Sequence, residues 1–346
     1  MKVTSLFILL VFFVSCSQKE NKTNSDLDTL QKVNTNLITA PKADGFYLKY
    51  RFKKNDKLQY RITTISDNNQ QINADTMIST VSHQNVQYLT DLFVKEIDNN
   101  QNAIIDFTIK SIISEGTING EKITYDSKYI FSTQERMMFA QYEAIKNKTF
   151  TLKIAESGEI LDIFNMEEIT DELLNIQQQT EQITIEQKQT LIQNFKDAAI
   201  RPLSQQLFRH FPSKQISVNY NWEDKYYTKF AVFDIENIAS YQVKKVDAET
   251  NDSLVTISAG LSINWMGSHE ATDQGVKYYF YDPIVSGSGL ITFNKTKGLI
   301  THSETSSSLE FVMDMEGYDA AQKLIKGKRT DLTVNKNIIE LLNPNS

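Results

Sequence analysis

From Gly45 onward the chain is written mostly in period two. Phe46, Leu48, Tyr50 and Phe52 alternate with other residues, and Leu58, Tyr60 and Ile62 do the same. Residues i and i+2 of an extended strand share a face, so this pattern asks for a sheet with one face buried. It recurs at 92–97, 103–113, 150–154 and 160–163. After Pro212 it returns at Tyr220/Trp222, 226–232, 238–246, 254–263, 276–281, 289–294, 299–305 and 309–313. The tail, with Leu332, Val334 and Ile338 to Leu342, reads as a strand or a helical turn. Turn-forming clusters punctuate the runs: Lys53-Lys54-Asn55-Asp56, Asp98 to Asn102, and Glu156-Ser157-Gly158. Ser66-Asp67-Asn68-Asn69 has the same composition and reads as one more hairpin turn. The economical fold is mainly β (α+β), an antiparallel meander forming one or more curved sheets.

The middle of the chain differs. Asn165 is followed three residues later by Glu168, and Thr184 by Gln187, the spacing of a capping box at a helix start. Beyond Thr184, the residues Ile185, Leu191, Ile192, Phe195, Ala198, Ala199, Leu203 and Leu207 fall near one helical face. Pro202 lacks a backbone donor and should kink this helix, and Pro212 should end it. Residues 166–211 are therefore expected to form a helical connector packed on the sheet.

The parts on either side look alike. Val94-Lys95-Glu96-Ile97-Asp98 matches Val243-Lys244-Lys245-Val246-Asp247, and each precedes an Asn-bearing turn and an alternating strand. Gly158-Glu159-Ile160 matches Gly298-Leu299-Ile300 less closely. This implies two similar meander halves, 45–165 and 215–343, within one domain spanning 45–343.

Ahead of the body, Lys2 precedes the apolar run Leu6 to Val14, about half the ~20 residues that span a bilayer. A cationic start, a short apolar run and the small Ser15 describe a secretory signal over 1–15. Phe13-Val14-Ser15-Cys16 resembles the lipobox of bacterial lipoproteins, with Phe13 where Leu is usual. That resemblance implies lipidation at Cys16, and Ser17 in place of a retention Asp favours the outer membrane. Residues 16–44, rich in Asn, Thr, Lys, Ser and Asp, suit a flexible tether. Cys16 is the lone cysteine, so the chain has no internal disulfide and no cysteine-rich zinc module.

The formal charge of −7 comes without a block of Lys or Arg, which disfavours nucleic acid as a partner. His83, His210, His269 and His302 make no local metal motif. Nucleophile-elbow, phosphate-loop and dinucleotide motifs are absent, so no cofactor and no catalytic residue are expected. In Tyr278-Tyr279-Phe280-Tyr281 the first and third rings should share one face, and the second and fourth the other. One pair belongs to a core. Trp222, Trp265, Tyr279 and Tyr281 are the candidate ligand-facing aromatics, with plain core or edge packing as the alternative.

A resemblance covers much of the body. The stretch Leu48 to Thr64, with Phe195 to Ala198, Phe211 to Lys214 and Val218 to Trp222, is similar to a family of uncharacterised Bacteroidota lipoproteins. Asn219 and Tyr220 stand where that family carries Gly-Asp. The resemblance implies a β-rich body on a lipid anchor and no defined activity. Together these readings point to a lipid-anchored envelope protein that binds an apolar ligand or lipid without catalysis. The alternative is a structural module docking an envelope protein in an outer-membrane assembly. Fatty-acid labelling in cells should mark the wild-type chain and not Cys16→Ala; label retained by the variant contradicts the anchor.

Overall fold

A computed structural model describes residues 45–342 apart from 180–182, 231–232, 249–251, 274 and 319–321. The signal 1–15, Cys16, the tether 16–44 and position 343 lie outside the described residues.

The first part of the body runs β1 (Lys57–Asn73), β2 (Met77–Ile97), β3 (Ala103–Ile118), β4 (Glu121–Asp126), β5 (Thr149–Ile154) and β6 (Ile160–Phe164). Two short helices, α1 (Thr133–Met138) and α2 (Ala140–Ile145), sit between β4 and β5. A helical run follows: α3 (Glu167–Ile176), α4 (Ile185–Phe195), a π-helical turn Lys196–Ile200, and α5 (Arg201–Gln205). The rest is β7 (Asn221–Phe230), β8 (Phe233–Ala248), β9 (Ser253–Met266), β10 (Glu270–Asp273), β11 (Val276–Phe280), β12 (Ile284–Asn294), β13 (Leu299–Tyr318) and β14 (Leu324–Leu342).

All fourteen strands join one open, curved antiparallel sheet, ordered β6-β5-β3-β2-β1-β14-β13-β12-β9-β8-β7. β4 pairs with β3, and the β10–β11 hairpin attaches to β13. The first and last strands meet in the middle, from Gln59↔Leu342 to Asn73↔Lys328. On either side of β14 the order is the same: β1-β2-β3-β5-β6, and β7-β8-β9-β12-β13. Each set carries an insertion between its third and fourth strands. The irregularities also coincide. A bulge falls between Val94 and Glu96 on β2 and between Val243 and Lys245 on β8. The register passes over Leu161 on β6 and Thr301 on β13, at the offset relating Gly158 to Gly298.

Several local expectations are corrected. Ser66 to Asn69 do not turn; they lie within β1, because β2 and β14 on both sides take up the backbone groups of this segment. Asn165 caps no helix. Its φ of 60° is left-handed rather than extended, its Nδ2 donates to Thr151 Oγ1 at 2.8 Å, and α3 starts after Met166 without a side-chain cap. Helix is not confined to the connector, since Ser132 and Glu135 form a capping box that starts α1. Residues 299–305 and 309–313 belong to one strand, and the tail is the long strand β14. Thr184 and Gln187 do form the capping box of α4. The chain accommodates Pro202 by a π-helical turn before it, with Pro202 in the first turn of α5, where a missing donor costs nothing. Ile185 is exposed, whereas Ile192, Ile200, Leu203 and Leu207 are buried in the main core.

Residues 45–52, ahead of β1, act as a strap. Phe46 and Ile216 exchange backbone hydrogen bonds of 2.9 Å. The Tyr50 N–H donates to Glu156 O in the β5–β6 turn at 2.8 Å, and the Arg51 N–H to Gly298 O in the β12–β13 turn at 3.2 Å. The Tyr50 hydroxyl donates to Leu207 O at 3.2 Å and accepts from the Arg209 N–H at 2.8 Å, pairing backbone groups that α5 leaves open. Its ring stacks on Phe211 and meets Phe208 and Phe293 edge-on, all within 5.7 Å between centroids. Burial pushes the Tyr50 phenol well above its ordinary pKa, so it stays neutral. Gly158 and Gly298 have φ of +90° and +68°, and a Cβ on either would strike the strap, at 2.5 Å from the Tyr50 ring and 2.4 Å from Arg51 N.

Tyr50→Phe strips two buried hydrogen-bond partners at once and should cost about 1–3 kcal/mol in urea unfolding. Tyr50→Ala, which also opens a cavity, should cost about 3–5 kcal/mol. An unchanged Tyr50→Phe midpoint contradicts the clamp.

Candidate functional site

The inner face of the sheet changes character along the strands. One cross-strand row reads Ile62, Ile339, Ser303, Ile291, Ile257 and Val243, in pairing order. It belongs to the main core, with Ser303 as its polar member. Two residues further along, the row is Thr64, Asn337, Thr305, Gly289, Ala259 and Tyr241. The row after that is Ser66, Asn335, Ser307, Gly287, Leu261 and Ala239. Small and hydroxylic or amide side chains thus replace most of the large apolar ones, with Tyr241 and Leu261 as the exceptions. Near the centre this band is hydrogen-bonded, Ser66 Oγ to Asn335 Oδ1 at 2.7 Å and Thr64 Oγ1 to Asn337 Oδ1 at 2.9 Å.

Over the other half of the band the small side chains leave a cleft. Its floor is β8, β9, β12, β13 and Asn337 of β14, and its roof is Gln206 and Arg209, just past α5. Its cavity volume is small, about 50 Å³, behind an open mouth. A slim chain or a flat group fits such a slot better than a bulky one. Ala239, Ala259 and Leu261 give the floor its apolar part, and Ser307 and Asn337 its polar part.

The roof is electrostatically incomplete. Gln206 is 5% exposed, yet neither Nε2 nor Oε1 has a hydrogen-bond partner. The Nε of Arg209 is buried and equally without one. Among the described residues no carboxylate pairs with the Arg209 guanidinium. A buried, unpaired polar group costs about 1–3 kcal/mol, so a native fold seldom keeps several together without a use.

The four aromatics expected to face a ligand separate into two places. Trp222 stacks on Tyr241, 5.1 Å between centroids, and Tyr241 lines the cleft. Trp265, Tyr279 and Tyr281 gather at the β10–β11 hairpin. There Tyr278 and Phe280 turn toward a small second core with Phe311 and Met313, while Tyr279 and Tyr281 stay 45% and 41% exposed. His269 lies between Trp265 and Tyr279, at 5.3 and 6.4 Å, with its Nε2 2.7 Å from Asp282 Oδ1. The Tyr281 hydroxyl donates to Asp314 Oδ2 at 2.7 Å, which raises its pKa, and Lys328 Nζ sits 5.4 Å over its ring. An open groove of about 1020 Å³ runs beside Tyr279, flanked by the Lys326–Glu316 ion pair. Three polar pairs thus lie here, His269 with Asp282, Tyr281 with Asp314 and Lys326 with Glu316. Among the described residues no three His, Cys, Asp or Glu side chains converge as metal ligands.

Gln206 and Arg209 were not among the candidates that the sequence suggests. The available signal is modest: Gln206 is a polar residue lodged in the apolar stripe, three after Leu203 and one before Leu207.

The sequence profile of the Family of unknown function (DUF6263) matches residues 100–300. No curated protein matches the chain. Among solved structures, lipovitellin described for its lipid–protein interactions is similar at 9% identity and a TM-score of 0.41, over 85% of this chain and 26% of that one. The chain thus spans about a quarter of lipovitellin. An outer-membrane channel of Pseudomonas putida F1 gives 8% identity and a TM-score of 0.20, over 88% of this chain and 100% of that one. OpdL of Pseudomonas aeruginosa gives 6% and 0.21, over 82% and 99%. Likenesses this remote carry no argument about fold or function.

Proposed function

The chain belongs to the DUF6263 family of unknown function, and we propose that it is a non-enzymatic binding module whose ligand lies in the cleft between α5 and the inner face of the sheet. The observation that carries this reading is the buried, unpartnered Gln206 amide, with the buried and unpartnered Nε of the half-buried Arg209 beside it, above a floor of mostly small residues. The floor favours a ligand with a slim apolar portion, in keeping with a lipid or other chain-bearing molecule. The signal-like start and Cys16 support a place in the cell envelope, tethered to the outer membrane through 16–44. The two halves of the sheet are read as a duplication, supported by their common strand order and matching bulges.

The competing reading is a protein-interaction module. It draws on the open sheet edges β6 and β7 and on the exposed rings of Tyr279 and Tyr281. It leaves the cleft without an occupant, so one experiment separates the two.

In a Trp265→Phe background Trp222 is the remaining tryptophan, and it reports on the cleft through Tyr241. Titration with dodecan-1-ol should shift its fluorescence saturably. Adding Ala259→Phe fills the floor and should raise the half-saturating concentration about tenfold or more, equivalent to about 1.4 kcal/mol. A shift that is absent, or indifferent to Ala259→Phe, contradicts binding in the cleft.

A further inference from the structure

We infer that the ligand presents an anionic oxygen head group with an N–H or O–H donor beside it, held by Arg209 and Gln206, while its chain lies along the floor of β9 and β12. This inference rests on the binding reading above and adds the chemistry of the head group.

The inventory of unsatisfied atoms sets the requirement. Arg209 Nε–H and the Gln206 Nε2 amide are donors without acceptors, and Gln206 Oε1 is an acceptor without a donor. A carboxylate or phosphate oxygen answers the two donors together, and charge-assisted hydrogen bonds of this kind are the stronger sort. Gln206 Oε1 then needs a hydrogen close to that anion. An N-acyl amino acid or a hydroxy acid supplies both groups within a few bonds; a plain hydrocarbon supplies neither.

The charge balance points the same way. The protein carries a formal charge of −7, so a half-buried guanidinium at the cleft without a carboxylate partner among the described residues is not part of a general basic surface. It is held in place by its own backbone, since the Arg209 N–H is fixed by Tyr50 and the Arg209 carbonyl packs closely on Gly158. The side chain therefore leaves a rigid point, which suits recognition. On the floor, Ala259 and Gly287 keep the surface low, with the Leu261 side chain packed against Gly287 as its apolar neighbour.

The test uses N-dodecanoylglycine and its methyl ester, read by Trp222 fluorescence in the Trp265→Phe protein. The acid should bind about tenfold or more tightly than the ester, and Arg209→Met should bring that ratio close to one. Gln206→Leu should weaken the acid about tenfold. It should also raise the melting temperature of the unliganded protein by about 2 °C, because it removes unsatisfied polar atoms without opening a cavity. A purely structural Gln206 predicts the opposite: a lower melting temperature and unchanged affinity. Equal binding of acid and ester, both abolished by Ala259→Phe, overturns the head-group inference and leaves the cleft reading standing. Binding of neither probe overturns both.

Discussion

One phenol holds the body together. Tyr50 joins three parts that are far apart in the chain: the turn after β5, the segment following α5, and the aromatic core under β12. An open sheet of this length has no closure of its own, and within it the strands before and after the helical run are joined through β14, which lies between β1 and β13. The strap supplies a second connection by bonding to one hairpin turn from each half. Both turns place a left-handed glycine against it, so the close approach is built into the backbone rather than left to side-chain choice. The same hydroxyl ends α5 by pairing with Leu207 O and Arg209 N. The position of Gln206 and Arg209 over the sheet is thus a consequence of where Tyr50 sits.

That position matters because the sheet below is not uniform. The core rows of Ile and Val give way within two residues to Thr, Ser, Asn and Gly. A surface of that composition gains little from burial in a dry interface, yet several of its side chains are buried. The centre of the band satisfies itself through Thr64, Ser66, Asn335 and Asn337, while over the rest of it Gln206 and the Arg209 Nε stand unanswered. The contrast between these neighbouring stretches is what singles out the cleft. The aromatic cluster at β10–β11 looks more conspicuous in sequence and in exposure. Its polar side chains include three pairs, His269 with Asp282, Tyr281 with Asp314 and Lys326 with Glu316, and among the described residues it holds no buried polar atom left without a partner.

Much of the fold was legible from periodicity, because alternation is a direct imprint of a half-buried sheet. The hairpin after Val94 and its counterpart after Val243 were visible as a repeated pentapeptide, and the bulge inside each explains why those residues resemble one another. Composition misled where tertiary pairing outweighed it. Ser66 to Asn69 have turn chemistry but lie between two long strands. Asn165 has the spacing of a cap but the wrong backbone conformation for one. The start of α1 was legible and overlooked, since Ser132 and Glu135 have capping-box spacing. The site was barely legible. Tyr279 and Tyr281 can be assigned to one face by counting, whereas the unsatisfied state of Gln206 depends on strands that stand opposite it from more than thirty residues away in the chain.

The central claim is that the roof of the cleft is completed by a ligand. The most direct measurement is a high-resolution crystal structure of the protein isolated from its own cells without detergent. The account predicts continuous density along the floor of β9 and β12, with polar atoms within hydrogen-bond distance of Gln206 Nε2 and Arg209 Nε. A cleft holding only ordered water that satisfies both side chains, or a Gln206 side chain turned out to solvent, contradicts it.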